Sequence, residues 1–219
     1  MFIIKTTNDF SSVKSKIKYN NLKVNCHEQS ASYRINCFIK YLLPDFNDID
    51  NSHLMVVCIG SDRSTGDSLG PLVGERLNAL IPSLGSEGAD VLWGTLKDPV
   101  HAVNLYDKIN QIKNFTQKPF IIAVDASLGK LKDVGNIEVG IGPIKPGKAV
   151  NKDLPSIGDI YIRGVVNVGG FMEQAVLQST RLYLVMSMAH VIGRGLLYIL
   201  KDYYSSFNHS SSYVKTTIY

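Results

Sequence analysis

Short, uninterrupted apolar runs alternate with amphipathic stretches along this chain, and that alternation admits few folds. Leu54–Ile59 reads LMVVCI and Phe120–Val124 reads FIIAV. Runs of this length with no polar residue suit strands buried on both faces. Asp90–Trp93, Ile137–Ile141 and Ile160–Val166 complete the strand candidates. After the first run, Leu69, Leu72, Val73, Leu77 and Leu80 recur at helical spacing. Asp98-Pro99 reads as an N-cap and first-turn proline, opening a helix with Ala102, Leu105, Ile109 and Ile112 on one face. Phe171–Tyr204 reads as one long helix, with Gly193 and Gly195 as the place for a break. Strands alternating with helices predict a three-layer α/β/α domain with a largely parallel, twisted sheet.

The 219 residues suffice for one domain with its own core. With 45% hydrophobic and 19% charged residues, a disordered chain is excluded. The net charge of +4 is spread along the sequence and gives no basis for nucleic-acid binding. Cys26, Cys37 and Cys58 have no C-x-x-C spacing and read as free thiols of a reducing compartment. The N-terminal apolar run, Phe2–Ile4, is too short for a secretory signal. The most apolar later stretch, Leu182–Gly193, lies between Arg181 and Arg194 and falls short of the ~20 residues of a membrane span. A cytoplasmic protein with no membrane partner is expected. Residues 51–204 form the predicted α/β domain. Residues 1–50 read as a helical extension, with Ile35, Phe38 and Leu42 at helical spacing and Pro44 ending the run. Residues 205–219, rich in serine, read as a flexible tail.

Ligands of such sheets bind beyond the carboxyl ends of the strands. That rule selects the loop Gly60–Pro71, GSDRSTGDSLGP, and the stretch Val124-Asp125-Ala126-Ser127. The loop matches neither the P-loop nor the dinucleotide fingerprint, and its two acids, Asp62 and Asp67, disfavour an anion. Asp67 or Ser68 could simply cap the following helix, and Asp125 could cap a turn. Yet a carboxylate directly after a buried strand must be paired, protonated or ligated. If the two strands are neighbours, Asp67 and Asp125 converge. They could then share a proton, one acting as base and the other as acid toward water, or hold a divalent cation between them.

Four segments carry a resemblance: CIGSDRSTGDSLGPLVGERL (Cys58–Leu77), GTLKDPVHAVNL (Gly94–Leu105), VDASLG (Val124–Gly129) and GVVNVGGFMEQAVLQSTRL (Gly164–Leu182). Over roughly residues 52–200 the chain resembles the YyaC-type sporulation proteins. These are relatives of the spore germination protease, in the larger group that contains the hydrogenase maturation proteases. The resemblance implies that fold and places the two catalytic acids at Asp67, before Ser68-Leu69-Gly70-Pro71, and at Asp125, before Ala126. In the hydrogenase maturation proteases both positions ligate nickel together with a histidine. Asn167 stands where that histidine would, and an amide is a poor nickel ligand. The loop KPGKAVNK (Lys145–Lys152) is similar to one near the germination protease's active site. Asn151 and Lys152 are thereby implied as substrate contacts, although a lysine-rich surface loop explains them equally well. His190 and His101 read as ordinary histidines, His101 being able to approach the crevice.

Two functions emerge as expectations. In the first, the protein is a sporulation-associated peptidase in which Asp67 and Asp125 activate water. Ser64 and Thr65 would hydrogen-bond the acids, and Arg63 would hold a substrate carboxylate. Asn167 joins the substrate-contact candidates. The partner would be a protein or peptide, with small spore proteins implied by the resemblance, and a homo-oligomer is open. In the second, the protein is a non-proteolytic structural or binding protein of the spore that keeps the fold.

Overall fold

A computed structural model of the chain describes residues 21–43, 53–84, 91–116, 119–146 and 155–214. Six strands form one sheet in the order β1-β5-β6-β4-β2-β3. They are β1 (Asn21–Asn25), β2 (His53–Cys58), β3 (Leu92–Trp93), β4 (Pro119–Gly129), β5 (Asn136–Ile141) and β6 (Ile160–Val168). β2 pairs in parallel with both β3 and β4, and β4 pairs in parallel with β6. β5 runs antiparallel to β6, and β1 antiparallel to β5. The helices are α1 (Ala31–Leu42), α2 (Leu69–Leu80), α3 (Leu105–Phe115), α4 (Glu173–Gln178) and α5 (Leu182–Val214).

Side-chain alternation divides the core between two faces. Leu54, Val56 and Cys58 of β2, with Ile122 and Val124 of β4 and Ile160 and Ile162 of β6, pack beneath α1, α2 and α5. Met55, Val57 and Ala123 point the other way, toward Leu105 and Ile112 of α3 and the bridged segments at Ile144 and Ile157. Strands covered on both sides need the continuous apolar runs that the sequence displays, and each fully buried aliphatic side chain contributes about 1.5–3 kcal/mol. The α/β class, the three layers and the mostly parallel sheet agree with expectation.

Several elements differ from the sequence reading. Residues 21–43, read as part of a helical extension, supply α1 and also the edge strand β1, which belongs to the same sheet. Asp98-Pro99 does not open a helix. Val100 forms a parallel bridge with Ile59, so the chain is still extended there. α3 begins only after Asn104, whose side chain donates to the Pro99 carbonyl (2.9 Å) and accepts from the His101 N–H (2.8 Å). Phe171–Tyr204 is not one helix. It breaks between Gln178 and Leu182, where the Thr180 hydroxyl bonds back to the Val176 carbonyl (2.9 Å). The helix is unbroken through Gly193 and Gly195, which are packing positions. A Cβ on Gly195 would meet Ile35 of α1 at 3.0 Å and the Ser32 carbonyl at 3.1 Å.

α5 also continues to Val214, into the stretch read as a loose tail, because no Gly or Pro stops it there. Its Leu182–Tyr203 portion is long and apolar enough, by length and composition, to cross a membrane, with mean hydropathy 1.5. Half of that apolar window is buried inside the fold, so its hydrophobicity is used in packing on α1, α2 and the sheet.

The connection leaving β2 turns at Gly60, which has φ +142°. There a Cβ would come within 1.9 Å of the Asp67 carbonyl oxygen. Only glycine fits both the dihedral and the space. Gly60→Ala should therefore cost about 2–4 kcal/mol in urea unfolding, combining an unfavourable φ with overpacking. A loss below ~0.5 kcal/mol would show that the turn is not held as described.

Candidate active site

β2 carries its pairing with β4 only as far as Cys58↔Val124, and the Ile59 N–H adds a last bond to the Val124 carbonyl (2.7 Å). The chain then leaves the sheet at Gly60. β4 continues along β6 to Gly129↔Val168. A cleft of about 910 Å³ opens where β2 stops. Its lining includes Arg63, Ser64 and Asp67 from the loop after β2, His101 before α3, Asp125–Gly129 of β4 and Arg163 of β6. Glu173 and Leu177 of α4 close one side. The loop is anchored across to α4 by the Gly66 N–H, which donates to the Leu177 carbonyl (2.8 Å).

The two acids named from the sequence thus share one cleft, at the carboxyl ends of neighbouring parallel strands. Burial pushes the Asp125 carboxyl up to about 8, and the nearby Asp67 charge adds to the rise. The Ala126 N–H, which donates to Asp125 Oδ1 (2.9 Å), and the Arg163 charge act in the opposite direction. Burial also raises Asp67, opposed by the Ser61 N–H and by His101. Asp125 is thus the member of the pair that more readily holds a proton, and the two acids titrate together.

The remaining sequence candidates differ in how close they come to the cleft. Arg63 stands exposed at the rim, its N–H donating to Ser61 Oγ (3.3 Å). Ser64 lines the cleft, and its buried Oγ has no hydrogen-bond partner among the described residues. It is not bonded to either carboxylate. Thr65 is outside the lining, and its carbonyl accepts from Ser68 Oγ (2.7 Å). Asn167 is also outside the lining. Its amide donates to the Val176 carbonyl (3.2 Å) and to Thr180 Oγ1 (3.1 Å), and its Oδ1 accepts from the Val168 N–H (2.9 Å). These bonds fasten the α4 segment to the end of β6. Asn151 and Lys152 lie outside the described residues.

Arg163 is the site residue that sequence reasoning missed. It pairs in register with Asp125 on one side and with Glu138 of β5 on the other, and Glu138 pairs with Lys23 of β1. Charges thus alternate across four strands, Lys23–Glu138–Arg163–Asp125, on the face opposite α1 and α5. Lys23 Nζ also reaches Asp133 (2.6 Å), and the Arg163 guanidinium lies 5.2 Å from the Tyr161 ring centre. The available signal was a lone arginine inside the apolar strand IYIRGVVNV.

Among the described residues, no three His, Cys, Asp or Glu side chains converge as a metal-holding group. A divalent cation between Asp67 and Asp125 would have two protein carboxylates and a guanidinium beside one of them. That donor set fits a shared proton better than the six or more oxygens a hard cation collects.

A family described as "Protein of unknown function (DUF1256)" matches residues 23–195. The chain belongs to this family. It is also similar to "Uncharacterized protein YyaC" of Bacillus subtilis (strain 168), with 57% identity over 143 residues, covering 65% of this chain and 67% of the relative. The family match begins inside β1 and ends within α5. It therefore takes in the edge strand, the cleft and the helices that pack against the sheet.

The upward shift of Asp125 has a sign that stability can read. A carboxyl whose folded value exceeds its unfolded value, about 3.9, stabilises the fold while protonated and loses that contribution as pH rises toward about 8. Asp125→Asn removes the titration while keeping an oxygen for the Ala126 N–H. The variant's unfolding free energy relative to the wild type should increase between pH 4 and pH 8, on the order of 2–4 kcal/mol. Groups away from the cleft titrate alike in both proteins and cancel, whereas Asp67, coupled to Asp125, contributes to the difference. A pH-independent difference would mean that Asp125 is ionised throughout.

Proposed function

We propose that the protein is a peptidase in which Asp67 and Asp125 activate water against a peptide bond. The observation that carries this reading is the pair itself: two acids in one cleft, with environments that set their proton affinities apart at neutral pH. Such separation is how acid and base roles are assigned within a carboxyl pair. The Asp67 carboxylate takes a proton from water, and the hydroxide adds to the peptide carbonyl carbon. Asp125 gives its proton to the developing oxyanion. As the C–N bond breaks, the proton then on Asp67 passes to the departing amine and one hydroxyl proton of the intermediate returns to Asp125, which leaves a carboxylic acid and restores the pair. Arg163 keeps positive charge beside Asp125, which steadies its carboxylate once the proton has gone. Arg63, exposed at the rim, is free to meet substrate atoms.

The likeness to sporulation proteins and the Bacillus subtilis relative support a role in the sporulating cell, with small spore proteins as the first substrates to try. The ordinary balance of charge and the packing of α5 into the core support a cytoplasmic setting. No nucleic-acid or membrane partner is required by this reading.

The test is incubation of the full chain with small acid-soluble spore proteins and with unfolded polypeptide, followed by mass spectrometry. Cleavage should fall by about 10² or more in either Asp67→Asn or Asp125→Asn. The wild-type rate should decline above about pH 8, as Asp125 loses its proton. Cleavage that persists in both variants overturns the dyad. Absence of cleavage at high enzyme concentration moves the protein to the non-proteolytic class.

A further inference from the structure

The sheet is uneven at the cleft. β2 stops pairing at Val124, while β4 runs five residues further, Asp125–Gly129, with β6 on its other side. The edge of this stretch facing β2 has no strand beside it among the described residues. All five residues line the cleft instead. The Val124 carbonyl receives the last bond from the β2 side. Backbone groups alternate sides along a strand, so Ala126, two residues on, turns its N–H and C=O to the same open side. The Ala126 N–H is met there only by the carboxylate of Asp125, the residue before it. After Ala126 the register with β6 shifts at Ser127/Leu128, with the extra residue, Val166, on β6, so β4 itself stays regular along its open side.

Unpaired strand edges are templates for another backbone. At ~3.3 Å per residue, five residues offer about 16 Å of edge. Asp125 sits at the inner end of that edge and Asp67 faces it from the loop. A polypeptide is the ligand whose own groups repeat at this spacing, and it must be extended to use them.

We infer that the cleft binds an extended polypeptide segment as an added strand on the open edge of β4 at Asp125–Gly129, which delivers its backbone to the Asp67–Asp125 pair. The inference rests on the peptidase reading for the fate of the bound segment, but the binding mode is separable from hydrolysis. It defines the substrate class as unfolded or strand-forming segments, recognised through main-chain bonds with side-chain preferences secondary. Folded helices are excluded because their amides are already paired. On binding, a peptide carbonyl takes the Ala126 N–H away from Asp125.

The experiment uses an octapeptide library displayed on phage, panned against the full-length protein carrying Asp67→Asn so that bound peptides are not cut. Enriched peptides are then synthesised with each backbone amide N-methylated in turn. Affinity, measured by calorimetry, should fall about tenfold or more at alternate positions and little at those between, because only every second amide faces β4. Ala126→Pro removes the protein's donor at a position facing away from β6, and should weaken binding similarly while near-ultraviolet dichroism stays unchanged. The N-methyl series reads the mode even if that variant misfolds. Failure to enrich any peptide, or equal effects of all N-methyl positions, overturns strand addition. Alternating sensitivity without cleavage by the wild type would leave strand addition standing and remove the peptidase reading. Cleavage without alternating sensitivity would do the reverse.

Discussion

The turn at Gly60 is the constraint on which the rest of this site depends. A left-handed dihedral at that position takes the chain out of the sheet one strand-end early, while β4 and β6 continue. Three things result together. The loop Ser61–Ser68 is thrown across the top of the sheet and pinned to α4 through Gly66. The carboxyl end of β4 is uncovered. Asp67 is returned to the mouth of the strand it followed, close enough for its charge to be felt at Asp125. Had β2 continued beside β4, Asp125 would have been walled in by a neighbouring strand, and no cleft would exist there.

The electrostatics of the cleft come from the same geometry. A carboxyl that loses contact with water keeps its proton unless a cation compensates. Arg163 compensates only in part, because it also pairs in register with Glu138 and lies over Tyr161. The guanidinium thus lies over an aromatic ring, on a strand flanked by an acid on each side, and makes no close ion pair with either acid among the described residues. It tempers Asp125 without forcing it to ionise. A cleft of mixed sign results, suited to handling a neutral amide bond, in which charge appears only as the reaction proceeds.

How much of this was legible in the sequence depended on burial. β2 and the first half of β4 are covered on both faces, so their apolar runs could be read directly, and β6 keeps that pattern on either side of Arg163. β1, NLKVN, is an edge strand with only Val24 deeply buried, and its polar residues hid it. α3 was misplaced because Pro99 fits an extended bridge as well as a first helical turn, and only the contact between Val100 and Ile59 decides between them. Asp67 and Asp125 were found by their position after apolar runs. Arg163 was passed over because its partners come from strands distant in sequence. Asn167 occupies the place a ligand would hold, but its amide is spent on α4 and Thr180.

The pairing of β1 has a consequence for how the chain is made. Asn21 lies against Gly140, and Asn25 against Asn136. Once β1 has left the ribosome it must therefore wait for more than a hundred further residues before its partner exists. Until then Leu22 and Val24 have no sheet to join, and α1, which packs on α5 and β1, lacks most of its support. The β2–β4 pairing can form earlier, from residues much closer in sequence. Assembly during synthesis would thus begin at the strands that frame the cleft and finish at the edge, where β1 docks last.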